Sequence, residues 1–172
     1  MLVVRPRFER LEERNLLHSG HAINIFLDAI LYSPVGPGEP LAEHVHPHLS
    51  IFIDGVQQVI PADIGIHEDV LGLAHSQIAA MPIHTHDESG TLHVESLVPF
   101  QFHLDDFFAI WGQTFNSQEI LGHHADASHP ITMTVNGEPS TLFGDLPLQG
   151  QPHGAAFSES GDQIVITLDG VP

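Results

Sequence analysis

The stretch Leu49-Ser50-Ile51-Phe52-Ile53-Asp54-Gly55-Val56-Gln57-Gln58-Val59-Ile60 decides the fold class. Two runs rich in β-branched residues flank Asp54-Gly55, a pair suited to the two positive-φ positions of a type I′ turn. The reading is a β-hairpin. A second unit of this kind lies 82 residues further on, where Ile131-Thr132-Met133-Thr134-Val135 is followed by Asn136-Gly137. The match continues at the same offset through Ile60/Leu142, Asp63/Asp145, Ile64/Leu146 and Ile66/Leu148. Two origins stay open: a duplicated ββ unit, or independent use of one hairpin design. Gln163-Ile164-Val165-Ile166-Thr167-Leu168 reads as a terminal strand.

Helical signals are fewer. Asp105 or Asp106 can cap a helix whose apolar stripe is Phe107, Phe108, Ile110 and Trp111, and Gly112 ends it. That aromatic cluster is expected to pack in the core. Residues 6–17 are rich in helix formers, Pro6 suits a first helical position, and Ser19-Gly20 is a stop signal. Residues 22–32 read as a strand. Residues 34–40, 122–130 and 149–161 read as loops rich in polar and chain-breaking residues. The expected architecture is therefore mainly β: an antiparallel β-sandwich or barrel-like domain with one or two short helices. Residues 1–20 form an N-terminal helical arm and residues 21–172 a single histidine-rich β domain.

Composition narrows the function. The chain has 172 residues, 22 Asp plus Glu, 15 His, no Cys and a formal charge of −18. Its four cations are Arg5, Arg7, Arg10 and Arg14, and no Lys or Arg occurs beyond them. A surface that tracks phosphates needs clustered Lys and Arg, so nucleic acid is not an expected partner. An anionic membrane surface would repel this body for the same reason. The hydrophobic share of 42% and a mean hydropathy of +0.06 argue against a disordered acidic tail. Without cysteine there is no disulfide, thiolate ligand or Cys nucleophile. No apolar signal core is visible in the first 20 residues, where Glu9, Glu12 and Glu13 interrupt. The run from Ala22 to Tyr32 is too short to span a bilayer and carries Asp28, so membrane insertion is not expected.

The histidines are the anomaly, and six of them fall in two clusters. The first is His44-Val45-His46-Pro47-His48. The second is His84-Thr85-His86, then Asp87-Glu88-Ser89-Gly90, then Thr91-Leu92-His93-Val94-Glu95. Both follow the two-residue period of a strand, so His44, His46 and His48 share one face. Asp87–Gly90 is a good turn sequence. Symmetric pairing about it sets His86 opposite Thr91, Thr85 opposite Leu92, His84 opposite His93 and Glu95 opposite Pro82. His84, His86, His93 and Glu95 then project from one side, and Ile83, Thr85, Leu92 and Val94 from the other.

Spacing limits how many ligands converge. Alternate strand residues are about 6.6 Å apart, close enough for two imidazoles to meet at one ion. His44 and His48 are about 13 Å apart, so the first cluster does not give three ligands to a single ion. Cross-strand partners have Cβ atoms about 5 Å apart, which suits His84 with His93. Members of the first cluster can complete the hairpin's site or build a neighbouring one. Imidazole and carboxylate ligands without sulfur suit a transition metal: copper or zinc first, with iron also admitted. His67, His75, His103, His123, His124, His129 and His153 read as solvated or loop residues.

His46-Pro47-His48-Leu49 through Ile53-Asp54-Gly55, Ile60-Pro61-Ala62-Asp63-Ile64-Gly65-Ile66, the His84–Ser96 block and Phe107-Phe108 with Trp111-Gly112 together resemble a group of uncharacterised bacterial and archaeal histidine-rich β proteins. The resemblance covers roughly residues 44–168. It implies no activity, but it implies export, so an extracytoplasmic location is the one it favours. A weaker similarity is to the cupins: Gly38 and His44-Val45-His46 fit the opening of their first motif. The Glu expected four or five residues after the second His is absent, since Ser50 and Ile51 stand there.

Three functions follow from these residues. The first is transition-metal binding for storage, delivery or sensing. The second is a metal-dependent enzyme, a cupin-like oxygenase or a hydrolase, with Asp87, Glu88 or Glu95 handling protons. The third is a β assembly domain with a histidine pH switch, because full protonation of the histidines moves the formal charge from −18 to −3. A homo-oligomer stays open in each.

Overall fold

The computed structural model describes residues 41–67, 79–148 and 161–170, together with Val35. The helix expected at 6–17, the strand at 22–32 and almost all of the loop at 149–161 lie outside the described residues. Within them the fold is mainly β and sandwich-like. Its strands are β1 (Glu43–Val45), β2 (His48–Ile53), β3 (Val56–Gln58), β4 (Ile66–His67), β5 (Ala79–Ala80), β6 (Ile83–His84) and β7 (His93–Ser96), followed after helix α1 (Leu104–Trp111) by β8 (Glu119–Ile120), β9 (His123–His124), β10 (Ile131–Val135), β11 (Glu138–Ser140) and β12 (Gln163–Leu168).

The hairpins expected from Asp54-Gly55 and Asn136-Gly137 form as expected. All four turn residues have positive φ, with values of 51° and 73° in the first pair and 53° and 83° in the second. They sit at opposite edges of a five-stranded sheet ordered β11-β10-β12-β2-β3. The offset of 82 residues survives in the pairing itself. Ile51 faces Gln58 and Ile53 faces Val56; Met133 faces Ser140 and Val135 faces Glu138. β12 lies between the two units, parallel to β2 and antiparallel to β10. The sheet is therefore mixed, where an antiparallel one was expected. The two hairpins approach β12 from opposite sides with opposite strand directions. A two-fold axis normal to the sheet through β12 relates them and keeps their apolar residues on one face. Ile51, Ile166 and Met133 form one buried row across that face, and Ile53, Leu168 and Ile131 another.

The second sheet is smaller, ordered β1-β7-β6. The chain passes from one sheet to the other at buried Pro47, which has no N–H to give a ladder. Pro47 still accepts a hydrogen bond from Leu92 N, and Leu49 N donates to Gly90 O, so the sheets are joined at this point. Both sheets remain open, and no closed barrel forms among the described residues. One apolar core serves both, drawing Ile83, Leu92 and Val94 from the smaller sheet and Leu49, Ile51 and Ile166 from the larger.

Helix α1 seals this core with Leu104, Phe107 and Phe108. Its N-cap is His103, two or three residues earlier than the cap expected at Asp105 or Asp106. Asp106 instead occupies the third helical position and reaches back to accept from His103 N at 2.8 Å. Gly112 ends the helix in the left-handed region, as expected. The aromatic cluster packs inward, with Phe108 stacked on Phe115 at 4.6 Å between centroids. The loop expected at 122–130 is shorter, because His123 and His124 pair with Ile120 and Glu119.

Gly90 tests how tightly the sheets are joined. Its φ is +88°, and a methyl group there would collide with the Leu49 carbonyl. Gly122 has a similar φ of +81° and open space around it. Gly90→Ala is expected to cost about 2–4 kcal/mol, from strain and overpacking together. Gly122→Ala is expected to cost about 1 kcal/mol, from backbone strain alone. Urea denaturation of both variants measures the difference, and equal losses would refute the junction as described.

Candidate metal centre

β7 is the centre of the smaller sheet, and its alternation sorts the side chains. Val94 and Ser96 turn inward and are buried, while His93 and Glu95 turn to the other side. On one flank β6 pairs Ile83 with Val94 and His84 with His93. On the other flank β1 pairs Val45 with Val94 and His44 with Glu95. Glu95 N donates to Pro82 O at 2.7 Å, which fixes the register expected from the turn. Ile83, Thr85, Leu92 and Val94 are all fully buried, so the apolar face of this hairpin is as expected.

The hairpin opens beyond His84 and His93. Thr85 and Leu92, expected as partners, are drawn to other segments. Thr85 N donates to Ile64 O, and its hydroxyl donates to Pro61 O at 2.8 Å and accepts from Ile64 N at 3.1 Å. Thr91 bridges to His48 instead of His86. The 61–64 segment thus clamps Thr85, and this clamp sets where His84 and His86 stand on either side of it.

Five imidazoles converge as a result. The ligand nitrogens of His84, His86 and His93 lie within 4.8 Å of one another, and so do those of His44, His46 and His93. The rings form a continuous row: His44–His46 at 4.5 Å between centroids, His46–His93 at 4.5 Å, His93–His86 at 4.4 Å and His86–His84 at 4.8 Å. His93 belongs to both groups. His48 belongs to neither: it opens β2 in the larger sheet, beyond the turn at Pro47. Glu95 is also outside both groups, but its Oε1 lies 3.3 Å from His44 Nε2. Among the described residues, none of the other histidines joins a group. His103 caps α1, and His129 pairs with Asp126 at 3.1 Å.

The protonation of the row is set by its surroundings. His84 is almost fully buried, and its Nδ1 lies 2.9 Å from the Met81 carbonyl oxygen. A carbonyl only accepts, so the proton sits on Nδ1 and the Nε2 lone pair is free. That lone pair faces His86 Nε2 at 3.2 Å, and His86 supplies the hydrogen there. Burial is the main reason that His84 and His93 are both pushed down to about 4, and the neighbouring imidazoles add to it. Both are neutral at pH 7, the form in which an imidazole can bind a metal.

This geometry suits a tetrahedral ion. With metal–nitrogen bonds of about 2.05 Å, two ligand nitrogens in such a site stand about 3.3 Å apart. The His84–His86 separation of 3.2 Å is already at that value. His84 and His86 could hold an ion in place of the hydrogen bond between them, with His86 then carrying its proton on the other nitrogen. The Met81 carbonyl behind His84 and the Glu95 carboxylate beside His44 orient their rings as outer partners do in metal centres. No residue pattern pointed to Met81, because its contribution is a backbone oxygen placed by tertiary structure. The shared role of His93 was equally hidden, since it depends on which strands flank β7. Comparison with known protein families, curated proteins and solved structures found no match.

The depressed His84 and His93 values carry a stability consequence. Below pH 6.5 the unfolded chain binds protons that the folded chain does not take up until about 4. Stability from these groups is complete above pH 6.5 and falls as pH drops towards 4. Urea midpoints measured in chelator at pH 7 and pH 5 should show this loss, and His84→Asn, which keeps a donor for Met81, should reduce it. An unchanged midpoint in the wild-type protein would contradict the burial of neutral His84.

Proposed function

We propose that this protein binds a divalent transition-metal ion through the imidazole row, with storage or delivery of the ion as its role. The observation that carries this reading is the convergence of His84, His86 and His93, with ligand nitrogens within 4.8 Å of one another and the His84–His86 pair at 3.2 Å, the spacing of a tetrahedral site. All-nitrogen ligands from imidazole favour zinc or copper(II), and iron(II) is admitted by the same set. The acidic body, with no Lys or Arg after Arg14, adds a field that draws cations to the protein.

Two other readings have less support. Three protein ligands leave a coordination position open, as a metal-dependent enzyme requires. The carboxylates expected to handle protons, however, stand outside both histidine groups: Asp87 and Glu88 are exposed on the turn, and Glu95 lies beside His44. A pH switch between 5 and 7 needs histidines that charge in that window. His84 and His93 remain neutral through it and so add nothing to such a switch.

The test is elemental analysis and zinc titration of purified protein. One ion per chain is expected, and His84→Ala/His93→Ala should lose stoichiometric binding. A wild-type protein that takes up no transition metal would end this reading. Glu95→Gln should retain one ion per chain with nearly unchanged affinity, because Glu95 lies beside His44 and outside the His84, His86 and His93 group. Loss of stoichiometric zinc in that variant would mean that Glu95 itself is needed to hold the ion.

A further inference from the structure

The proposed metal reading leaves one question that the geometry addresses: why five histidines stand where three suffice. The two groups are not separate sites, because His93 is a member of both. A neutral imidazole has one lone pair, on whichever ring nitrogen lacks the proton. His93 therefore serves one ion at a time. The remaining ligands split into two pairs on either side of it, His44 with His46 on β1 and its continuation, and His84 with His86 on and just beyond β6.

We infer that the row is a two-position relay for a single ion, with His93 as the pivot. This rests on the metal reading above and adds a path to it. In the outer position the ion is held by His44, His46 and His93. In the inner position it is held by His84, His86 and His93. To move, the ion breaks its bonds to His44 and His46 and forms bonds to His84 and His86, while the His93 bond persists. The metal keeps its oxidation state throughout. The one proton displaced is the hydrogen between His84 and His86, which passes to the other nitrogen of His86 through solvent, to which His86 is exposed.

The two positions differ in ways that give them different tasks. The outer one is partly exposed and has the Glu95 carboxylate beside His44, a negative charge at the point of arrival. The inner one includes His84, buried and locked by Met81, so its ligand is pre-oriented and shielded from competing water. Capture belongs to the first and retention to the second. Ring centroids no more than 4.8 Å apart along the whole row keep each transfer within one ligand exchange.

Stopped-flow absorbance of the full apo chain mixed with Co(II) tests the relay, because the d–d bands report coordination. The wild-type protein should bind one Co(II) per chain in two phases, the second independent of Co(II) concentration. His44→Ala/His46→Ala should still bind one Co(II) with the final wild-type spectrum, but uptake should slow at least about tenfold, the lower range for loss of a steering site. His84→Ala/His86→Ala should bind one Co(II) more weakly in a single phase. His86 is exposed, so His86→Ala alone gives the same readout without disturbing the core. Two Co(II) ions per chain, or wild-type uptake kinetics in His44→Ala/His46→Ala, would overturn the relay and leave the metal reading intact. No Co(II) or zinc bound to the wild-type chain would overturn both.

Discussion

The position of β7 between β1 and β6 is the constraint on which the rest of the site depends. A strand has two faces, and a central strand has two neighbours. β7 uses its inner face to bury Val94 and Ser96 and its outer face to present His93 and Glu95. Because the register is fixed on both sides, each neighbour delivers histidine to the same face, His84 from β6 and His44 from β1. A slip of one residue in either pairing would bury imidazole in the apolar core and expose Val94 or Ile83. The apolar residues thus hold the ligands in register without touching an ion.

Burial does a second job here. Burial opposes the charging of His84 and His93, and the neighbouring imidazoles add to it. The outcome is that His84 and His93 are neutral donors at pH 7 inside a strongly acidic chain. Charge and coordination are therefore divided. The carboxylates supply the long-range field, and the imidazoles would supply the bonds to an ion. A carboxylate-only cluster would attract cations too, but would favour the hard ions that take oxygen ligands.

Much of this was legible from local pattern. The two turn dipeptides, their 82-residue spacing and the alternation of Ile83 to Glu95 gave the hairpins and the apolar face, because turn chemistry and strand period are local properties. The parallel pairing of β2 with β12 was not legible, since nothing in Leu49–Ile53 records which way its neighbour runs. Nor was the separation of His48 from His44 and His46. Their spacing fits one strand, but Pro47 moves the chain to the second sheet between them. The opening of the histidine hairpin had a similar cause. Thr85 meets Pro61 and Ile64, which are more than 20 residues away, and a side-chain hydroxyl gives no sign of so distant a partner.

The departure of His48 sharpens the chemistry. Had the strand run straight, His44, His46 and His48 would line an extended ribbon, with ligands too far apart for one ion and no cross-strand partner for the last. The turn at Pro47 ends that ribbon after His46, where the row meets His93 across the sheet. It also lets Pro47 O and Leu49 N bond to Leu92 and Gly90, which pins the far end of the histidine hairpin to the larger sheet. One imino acid thus ends one strand, joins two sheets and sets the length of the imidazole row. The five-histidine row follows from that junction: two imidazoles from β1 and its continuation, two from the β6 side, and one from the strand between them.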